Sequence, residues 1–261
     1  MKKKKIKNYG LKIDTPKPED YRFGSIISPV PFEILQPNGD WTDFLPKREA
    51  QNLNGIEPYA CVSFTILNSI EALIKRKYNE EVNYSDRFLA AVSGTKEGGN
   101  SPHTVCEFLR KCGVVPEELL PFSEDIDTFD KFYAPLPPKL YELAREFNAK
   151  WEFKHEFVDD NPEAIQKALQ SSPLGISVTA WFERPNGMYY QRKDMTDNHF
   201  TTLIKQEKGN FKRVFDSYDS FIKDYEFSTN HSVIKRFYIK KRDIQKSWIE
   251  KVKSYFCDIL K

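Results

Sequence analysis

The sequence predicts an α+β fold with two lobes and a cleft between them. Between Cys61 and Ile74 the only charged residue is Glu71, which indicates a buried central helix. Helical patterns dominate the chain up to about Leu169, and short β-branched or aromatic segments separated by turns follow. A run of helices followed by a run of strands is typical of α+β proteins. We therefore expect a helical first lobe and an antiparallel β second lobe.

Composition restricts the class of protein. The 261 residues suit one large domain or two packed lobes. With 40 basic and 38 acidic residues the net charge is +2, which gives no electrostatic reason to expect nucleic acid as a partner. We expect no membrane span and no signal peptide, because the lysine-rich start is followed by Asn8-Tyr9-Gly10 instead of an apolar run. Four cysteines in a chain of this length favour reduced thiols and a cytoplasmic location.

Three segments are expected along the chain. Residues 1–40 carry five prolines with little periodicity, which predicts an extended N-terminal arm; a propeptide is the alternative interpretation. Residues 41–240 form the main domain. Residues 241–261 place apolar side chains on one helical face and predict an amphipathic C-terminal helix.

Proline and glycine mark the helix boundaries. Pro58 places the start of the central helix near Cys61, and the pattern runs on to about Tyr78. Further predicted helices are Ser85 to Val92, Ser101 to Gly113, one opening at Pro137 and one opening at Asn161. Predicted strands are Trp151 to Val158, Leu174 to Val178, Met188 to Gln191, His199 to Lys205, Phe211 to Phe215 and Val233 to Ile239.

Cys61 is the candidate nucleophile. At the amino end of a helix, unpaired backbone N–H groups and the positive end of the helix dipole favour the thiolate, which is the nucleophilic form. A buried cysteine with no role beyond packing is the alternative. A cysteine nucleophile needs a base and a third group that orients the base.

His199 is the candidate base among the four histidines. It is the first residue of an apolar strand and directly follows a polar loop. This end of the strand could face the helix in the other lobe. Asp216 follows 17 residues later (216 − 199), one hairpin on, where it can pair with the imidazole across two adjacent strands.

Three segments then resemble, in order, the motifs of the papain-like cysteine peptidases. They are Cys61-Val-Ser-Phe-Thr65, Asn198-His-Phe-Thr201 and Asp216-Ser-Tyr-Asp219. The separation of Cys61 and His199 (199 − 61 = 138) falls within the family's range of roughly 130–150 residues. Gly98-Gly99 resembles the glycine pair that binds an extended substrate. The resemblance covers roughly residues 10–240.

The resemblance implies a papain-like two-lobed fold and a peptidase that uses a Cys61–His199–Asp216 triad and a thioester intermediate. It implies a peptide or protein substrate and no cofactor or metal. The substrate-binding residues that it implies are Gly98, Gly99, Asn198, Phe200 and Tyr218.

Several positions depart from the family pattern. The family places an oxyanion-binding glutamine six residues before the cysteine, where this chain has Gly55; Asn54 and Gln51 are the candidates to replace it. Asp216 stands in place of asparagine and adds a negative charge that would favour the imidazolium form of the histidine. Phe200 replaces a small residue in the main specificity pocket, which predicts a shallow or blocked pocket.

Two other functions remain open at this stage. A catalytically inactive scaffold that serves as a binding or structural module would explain the departures. A thiol amidase or isopeptidase acting on cell-wall or modified peptides would use the same residues. His103, Cys106 and Cys112 lack a fourth metal ligand, so we expect them to pack in the core.

Overall fold

The computed structural model describes residues 7–207, 209–227 and 230–243. The α+β prediction is confirmed within these ranges. The helices are α1 (Cys61–Tyr78), α2 (Asp86–Val92), α3 (Pro102–Cys112), α4 (Phe129–Phe132), α5 (Pro138–Lys150) and α6 (Pro162–Leu169). The strands are β1 (Trp151–Phe157), β2 (Leu174–Val178), β3 (His199–Glu207), β4 (Phe211–Phe215), β5 (Ile222–Glu226) and β6 (Ile234–Lys241).

The six strands form one sheet in the order β1-β6-β2-β3-β4-β5, and every neighbouring pair is antiparallel. The register of β3 and β4 pairs Thr202 with Phe215. Because the two strands run in opposite directions, Asp216 at the end of β4 lies beside the start of β3, where His199 stands.

Helix α1 fills the centre of the molecule, and every residue from Cys61 to Ile74 is buried. The Thr65 hydroxyl donates to the Phe200 carbonyl of β3 at 2.8 Å, and the Thr202 hydroxyl donates back to the Thr65 carbonyl at 3.3 Å. These bonds join the beginning of α1 to the beginning of β3. They fix the position of the helix start relative to the strand start.

The arm is bound to the main domain through residues 23–31. Phe23 donates its backbone N–H to the Phe157 carbonyl of β1 at 2.8 Å. Further on, the buried Arg236 guanidinium of β6 donates to the carbonyls of Val30 and Pro31 at 3.2 and 3.1 Å. A guanidinium that binds successive carbonyls holds this part of the arm in a defined conformation.

Two sequence predictions differ from the structure. The strand predicted at Met188 to Gln191 is wrong, because that segment makes only single bridges at Tyr189. Strand β5 was missed, because three of its five residues are charged, which indicates a solvated segment. The C-terminal helix was predicted over residues 241–261, but Lys241 belongs to β6. Residues 244–261 lie outside the described part of the chain. Among the described helices, none combines the length and apolarity that crossing a bilayer requires.

Charged side chains of both signs, Glu71, Glu117 and Lys75 among them, line a pocket of about 990 Å³ beside α1. Glu71 accepts the Tyr84 backbone N–H at 2.8 Å, and one oxygen of Glu117 accepts that of Phe122 at 2.8 Å. The other Glu117 oxygen has no hydrogen-bond partner among the described residues. Burial, together with the charge of Glu49, raises the pKa of Glu117 to about 7. The fold therefore favours the protonated form of this carboxyl group.

We expect Glu117→Gln to make stability less dependent on pH. As pH rises above about 4, the Glu117 carboxyl ionises in the unfolded chain but stays protonated in the folded protein, where its pKa is about 7. The free energy of unfolding therefore falls as pH rises from about 4 to about 7. Between pH 5 and pH 8 the wild type should lose roughly 1–2 kcal/mol more than the variant. Thermal unfolding at both pH values measures this. Glu118→Gln, on the exposed side of the same turn, is the control, and an equal effect there would contradict the assignment.

Candidate active site

Cys61 is the first residue of α1 and is fully buried. Its thiol accepts a hydrogen bond from the backbone of Phe200, the residue that follows His199. Cys61 on the helical lobe therefore contacts the strand of the sheet lobe that begins at His199.

His199 and Asp216 form a fully buried pair. The imidazole Nε2 lies 2.6 Å from Asp216 Oδ1. Its other nitrogen, Nδ1, is buried and has no hydrogen-bond partner within the described part of the chain. Because the aspartate takes Nε2, Nδ1 is the nitrogen left to exchange a proton with Cys61. Thiol and imidazole are not hydrogen-bonded to each other in this form.

The two oxyanion candidates occupy different environments. Asn54 donates its amide to the carbonyls of Ser123, Glu124 and Ile126 at 3.0–3.1 Å, so that amide is committed to a surface loop. Gln51 is instead fully buried. The structure brings only Gln51 to the site.

Gln51 is held by the strand end that carries Asp216. Its backbone N–H donates to the Ser217 carbonyl at 2.8 Å, and the Ser217 hydroxyl donates to its side-chain oxygen at 3.1 Å. This leaves the amide Nε2 directed toward Glu57, which accepts from it at 2.8 Å. Glu57 also accepts from the Tyr218 hydroxyl at 2.6 Å.

Three aromatic rings enclose His199. The Tyr218 and Trp181 rings lie edge-on to the imidazole at centroid distances of 5.5 and 5.2 Å, and the Tyr9 ring lies at 5.3 Å. They exclude water from the imidazole. Trp181, Tyr9 and Glu57 were missed from the sequence. A lone tryptophan, an arm tyrosine and a loop glutamate carry no periodic signal.

Comparison with known proteins finds similarity in structure only. No family model matches the sequence, and no curated protein matches it. Xylellain, a cysteine protease from Xylella fastidiosa, superposes with a TM-score of 0.62 at 16% identity, over 94% of this chain and 99% of that one. Digestive procathepsin L 3 of Tenebrio molitor gives 0.57 at 12% identity, over 88% and 75%. The bromelain protease of Ananas comosus, solved with the E64 inhibitor, gives 0.56 at 17% identity, over 76% and 96%.

The chain has the papain-like fold. The predicted two-lobed architecture is thereby confirmed, with Cys61 on the helical lobe and His199 on the sheet lobe. At these levels of identity the likeness concerns the fold.

The N-terminal arm lies across the candidate site. Tyr9 donates its backbone N–H to the Asn198 carbonyl at 3.0 Å, and the Asn198 side chain donates to the Lys7 carbonyl at 2.7 Å. The Tyr9 carbonyl accepts from Gln51 Nε2 at 2.9 Å. The Tyr9 carbonyl therefore accepts the hydrogen bond that the Gln51 amide would otherwise donate to an oxyanion.

The glycine pair receives the next part of the arm. Asn8 donates its side-chain amide to the Gly98 carbonyl at 3.1 Å, and the Gly10 carbonyl accepts the Asn100 backbone N–H at 3.0 Å. A Cβ on Gly99 would lie 1.8 Å from the Gly10 carbonyl oxygen, so only glycine permits this approach. Gly98, Gly99 and Asn198 thus line the groove that holds an extended chain.

Phe200 packs into the sheet. Its ring is fully buried and lies over Gly175 of β2, where an added Cβ would come within 2.5 Å of it. This glycine provides the space for the large side chain.

The described residues include no group of three or more His, Cys, Asp or Glu arranged to hold a metal ion.

The electrostatics of Cys61 differ from the sequence expectation. Burial raises the pKa of the Cys61 thiol well above its ordinary value, and the charges of Glu57 and Asp216 raise it further. The hydrogen bond from the Phe200 backbone lowers the pKa but does not compensate. The loss of solvation outweighs the helix terminus. In this structure Cys61 is held as a thiol.

We expect Gly10→Ala to displace the arm from the site. Gly10 has φ +115°, and an added Cβ would lie 2.2 Å from the Tyr59 carbonyl oxygen, so alanine is strained and also collides with backbone. Each effect costs about 1–3 kcal/mol. We expect amide exchange over residues 7–12 and alkylation of Cys61 by iodoacetamide to accelerate by about tenfold or more.

Gly24→Ala is the matched control for this prediction. Gly24 also lies in the arm and has φ +80°, but a Cβ there meets no atom within 4 Å. It shares the backbone strain without the collision at the site. If both variants alkylate at the wild-type rate, the arm does not control access to Cys61.

Proposed function

We propose that this protein is a cysteine peptidase that hydrolyses peptide bonds and is held latent by residues 7–12 of its own arm. The observation that carries the proposal is the buried His199–Asp216 pair at 2.6 Å, whose Nδ1 has no hydrogen-bond partner among the described residues. The next residue, Phe200, bonds through its backbone to Cys61 at the start of α1. Nucleophile, base and orienting group are the minimum set for acyl transfer. The papain-like fold supports a peptide or protein substrate, which an open cleft can take in extended form.

The reaction follows from the geometry once the arm leaves. Water returns to the site, which relieves the burial that disfavours the thiolate. His199 takes the thiol proton on Nδ1, and Cys61 attacks the peptide carbonyl. The Cys61 backbone N–H and the Gln51 amide stabilise the oxyanion. The imidazolium gives its proton to the leaving amine, and water activated by His199 hydrolyses the thioester.

The arm supports a latent state in two ways. Its Tyr9 carbonyl takes the Gln51 amide, and its Tyr9 ring covers His199. It also pairs with Gly98 and Asn100 as an extended peptide would. One of the similar structures is a procathepsin. Residues 1–40 are therefore proposed to act as a propeptide.

A catalytically inactive scaffold is the second candidate. The observations that favour it are the fully buried Cys61, its raised pKa and the missing hydrogen bond between Cys61 and His199. Both candidates predict an inert wild-type chain, so the displaced-arm variant separates them.

We expect the full-length Gly10→Ala protein to cleave a largely unfolded protein such as casein, and the double variant Gly10→Ala/Cys61→Ala to have no activity. Intact-mass measurement should find one E64 adduct, and peptide mapping should place it on Cys61. Wild type should react at least about tenfold more slowly, because the arm competes for the site. A displaced arm with neither cleavage nor adduct would favour the scaffold. An adduct without protein cleavage would point to a different amide substrate.

A further inference from the structure

Lys223 of β5 is a buried lysine beside the site that the reaction scheme does not use. Only 1% of its side chain is exposed. Its Nζ lies 3.0 Å from Asp216 Oδ2 and donates to the Tyr218 carbonyl at 2.7 Å and to the Ser220 carbonyl. The three donors of the ammonium group are therefore all engaged. Asp216 is bound on one oxygen by His199 and on the other by Lys223.

The hairpin of β4 and β5 places this lysine. Phe215 pairs with Ile222, and Val214 with Lys223, across the turn that begins at Asp216. Asp216 donates its backbone N–H to the Phe221 carbonyl at 2.7 Å. The turn thus brings Lys223 back to the carboxylate seven residues before it.

The pair lies in a dry environment. The Lys223 ammonium stands over the Trp181 ring at 4.9 Å, and the same ring borders His199 at 5.2 Å. Asp216 and Lys223 are almost fully buried. Charges interact strongly where water is excluded, so the charge of Asp216 acts fully on its neighbours unless another charge opposes it.

Lys223 supplies that opposing charge. Burial alone would raise the pKa of Asp216, but the charges and hydrogen bonds of His199 and Lys223 hold it below its usual value, so the group is a carboxylate. Together, carboxylate and ammonium have a net charge of zero. An asparagine amide at the same position would also be neutral.

We propose that Lys223 is a positioning residue that neutralises Asp216, so that the carboxylate orients His199 without locking it as imidazolium. The inference deepens the proposed function and rests on it. The other titratable groups that face this pair are Tyr9, Glu57, Cys61, Tyr189 and Tyr218. A general base must be able to lose its proton near the working pH, so a neutralised partner serves the histidine better than a bare carboxylate.

The test is a double-mutant cycle in the full-length protein, with the variants Lys223→Met, Asp216→Asn and the combination of both. The readout is the histidine ring in ¹⁵N-imidazole NMR spectra recorded against pH, which needs neither substrate nor an open site. We expect the His199 titration midpoint to move up by about one pH unit or more in Lys223→Met, and down by a similar amount in Asp216→Asn. The double variant should return close to wild type, because it carries neither charge.

Lys235→Met is the matched control. Lys235 is equally buried, on β6, but its partners are His155 at 3.4 Å and the Phe157 ring. Its loss should move the His155 signals and leave those of His199 in place. A purely structural role would lower Tm in both lysine variants and would not be reversed in the double variant.

Two results would overturn the proposal: a His199 midpoint unchanged in folded Lys223→Met, or a double variant that titrates like Asp216→Asn. If Lys223→Met fails to fold, the comparison of Asp216→Asn with the double variant decides alone. The NMR result stands whether or not casein is cleaved. If casein is cleaved but the predicted NMR shifts are absent, only the role of Lys223 is refuted. If the shifts are observed but the protein has no activity, only the proposed activity is refuted.

Discussion

The hydrogen bonds between Thr65 and β3 are the constraint on which the site depends. The candidate nucleophile lies on a helix and the candidate base on a sheet, and a displacement of about 1 Å between such groups is enough to impair their reaction. Reciprocal bonds, from a threonine on each element to a carbonyl of the other, fix the helix along the strand. Both lie within about one turn of the reacting atoms. The buried surface of α1 then supplies the stability, while these bonds supply the register.

Sequence patterns predicted the features that depend on periodicity and order. The apolar run after Cys61, the strand opening at His199 and the aspartate one hairpin later were enough to place the three residues together. These depend on local rules, since helix starts and antiparallel hairpins are set by nearby residues.

Features set by distant contacts were beyond sequence reasoning. The choice of Gln51 over Asn54 depends on how a loop of positive-φ residues folds back onto Ser217. Lys223 is followed by Asp224 in a strand where three of five residues are charged, a composition that indicates solvent. Its ammonium is nevertheless buried, because a carboxylate and two carbonyls accept its hydrogen bonds. The nucleophile also contrasts with expectation, because the helix terminus favours a thiolate while complete burial opposes it.

The anchoring of the arm by Arg236 and Phe157 has a consequence for any molecule that enters the cleft. Because Val30 and Phe23 stay attached to the body, residues 7–12 remain close to the site even when they are released. A segment tethered in this way meets its binding site at an effective concentration on the order of millimolar, whatever the concentration of the protein. A substrate present at micromolar concentration must bind far more tightly than the arm to displace it. Dilution of the protein does not open the site, whereas cutting the chain between residues 12 and 22 converts the arm into a free peptide that dilution removes.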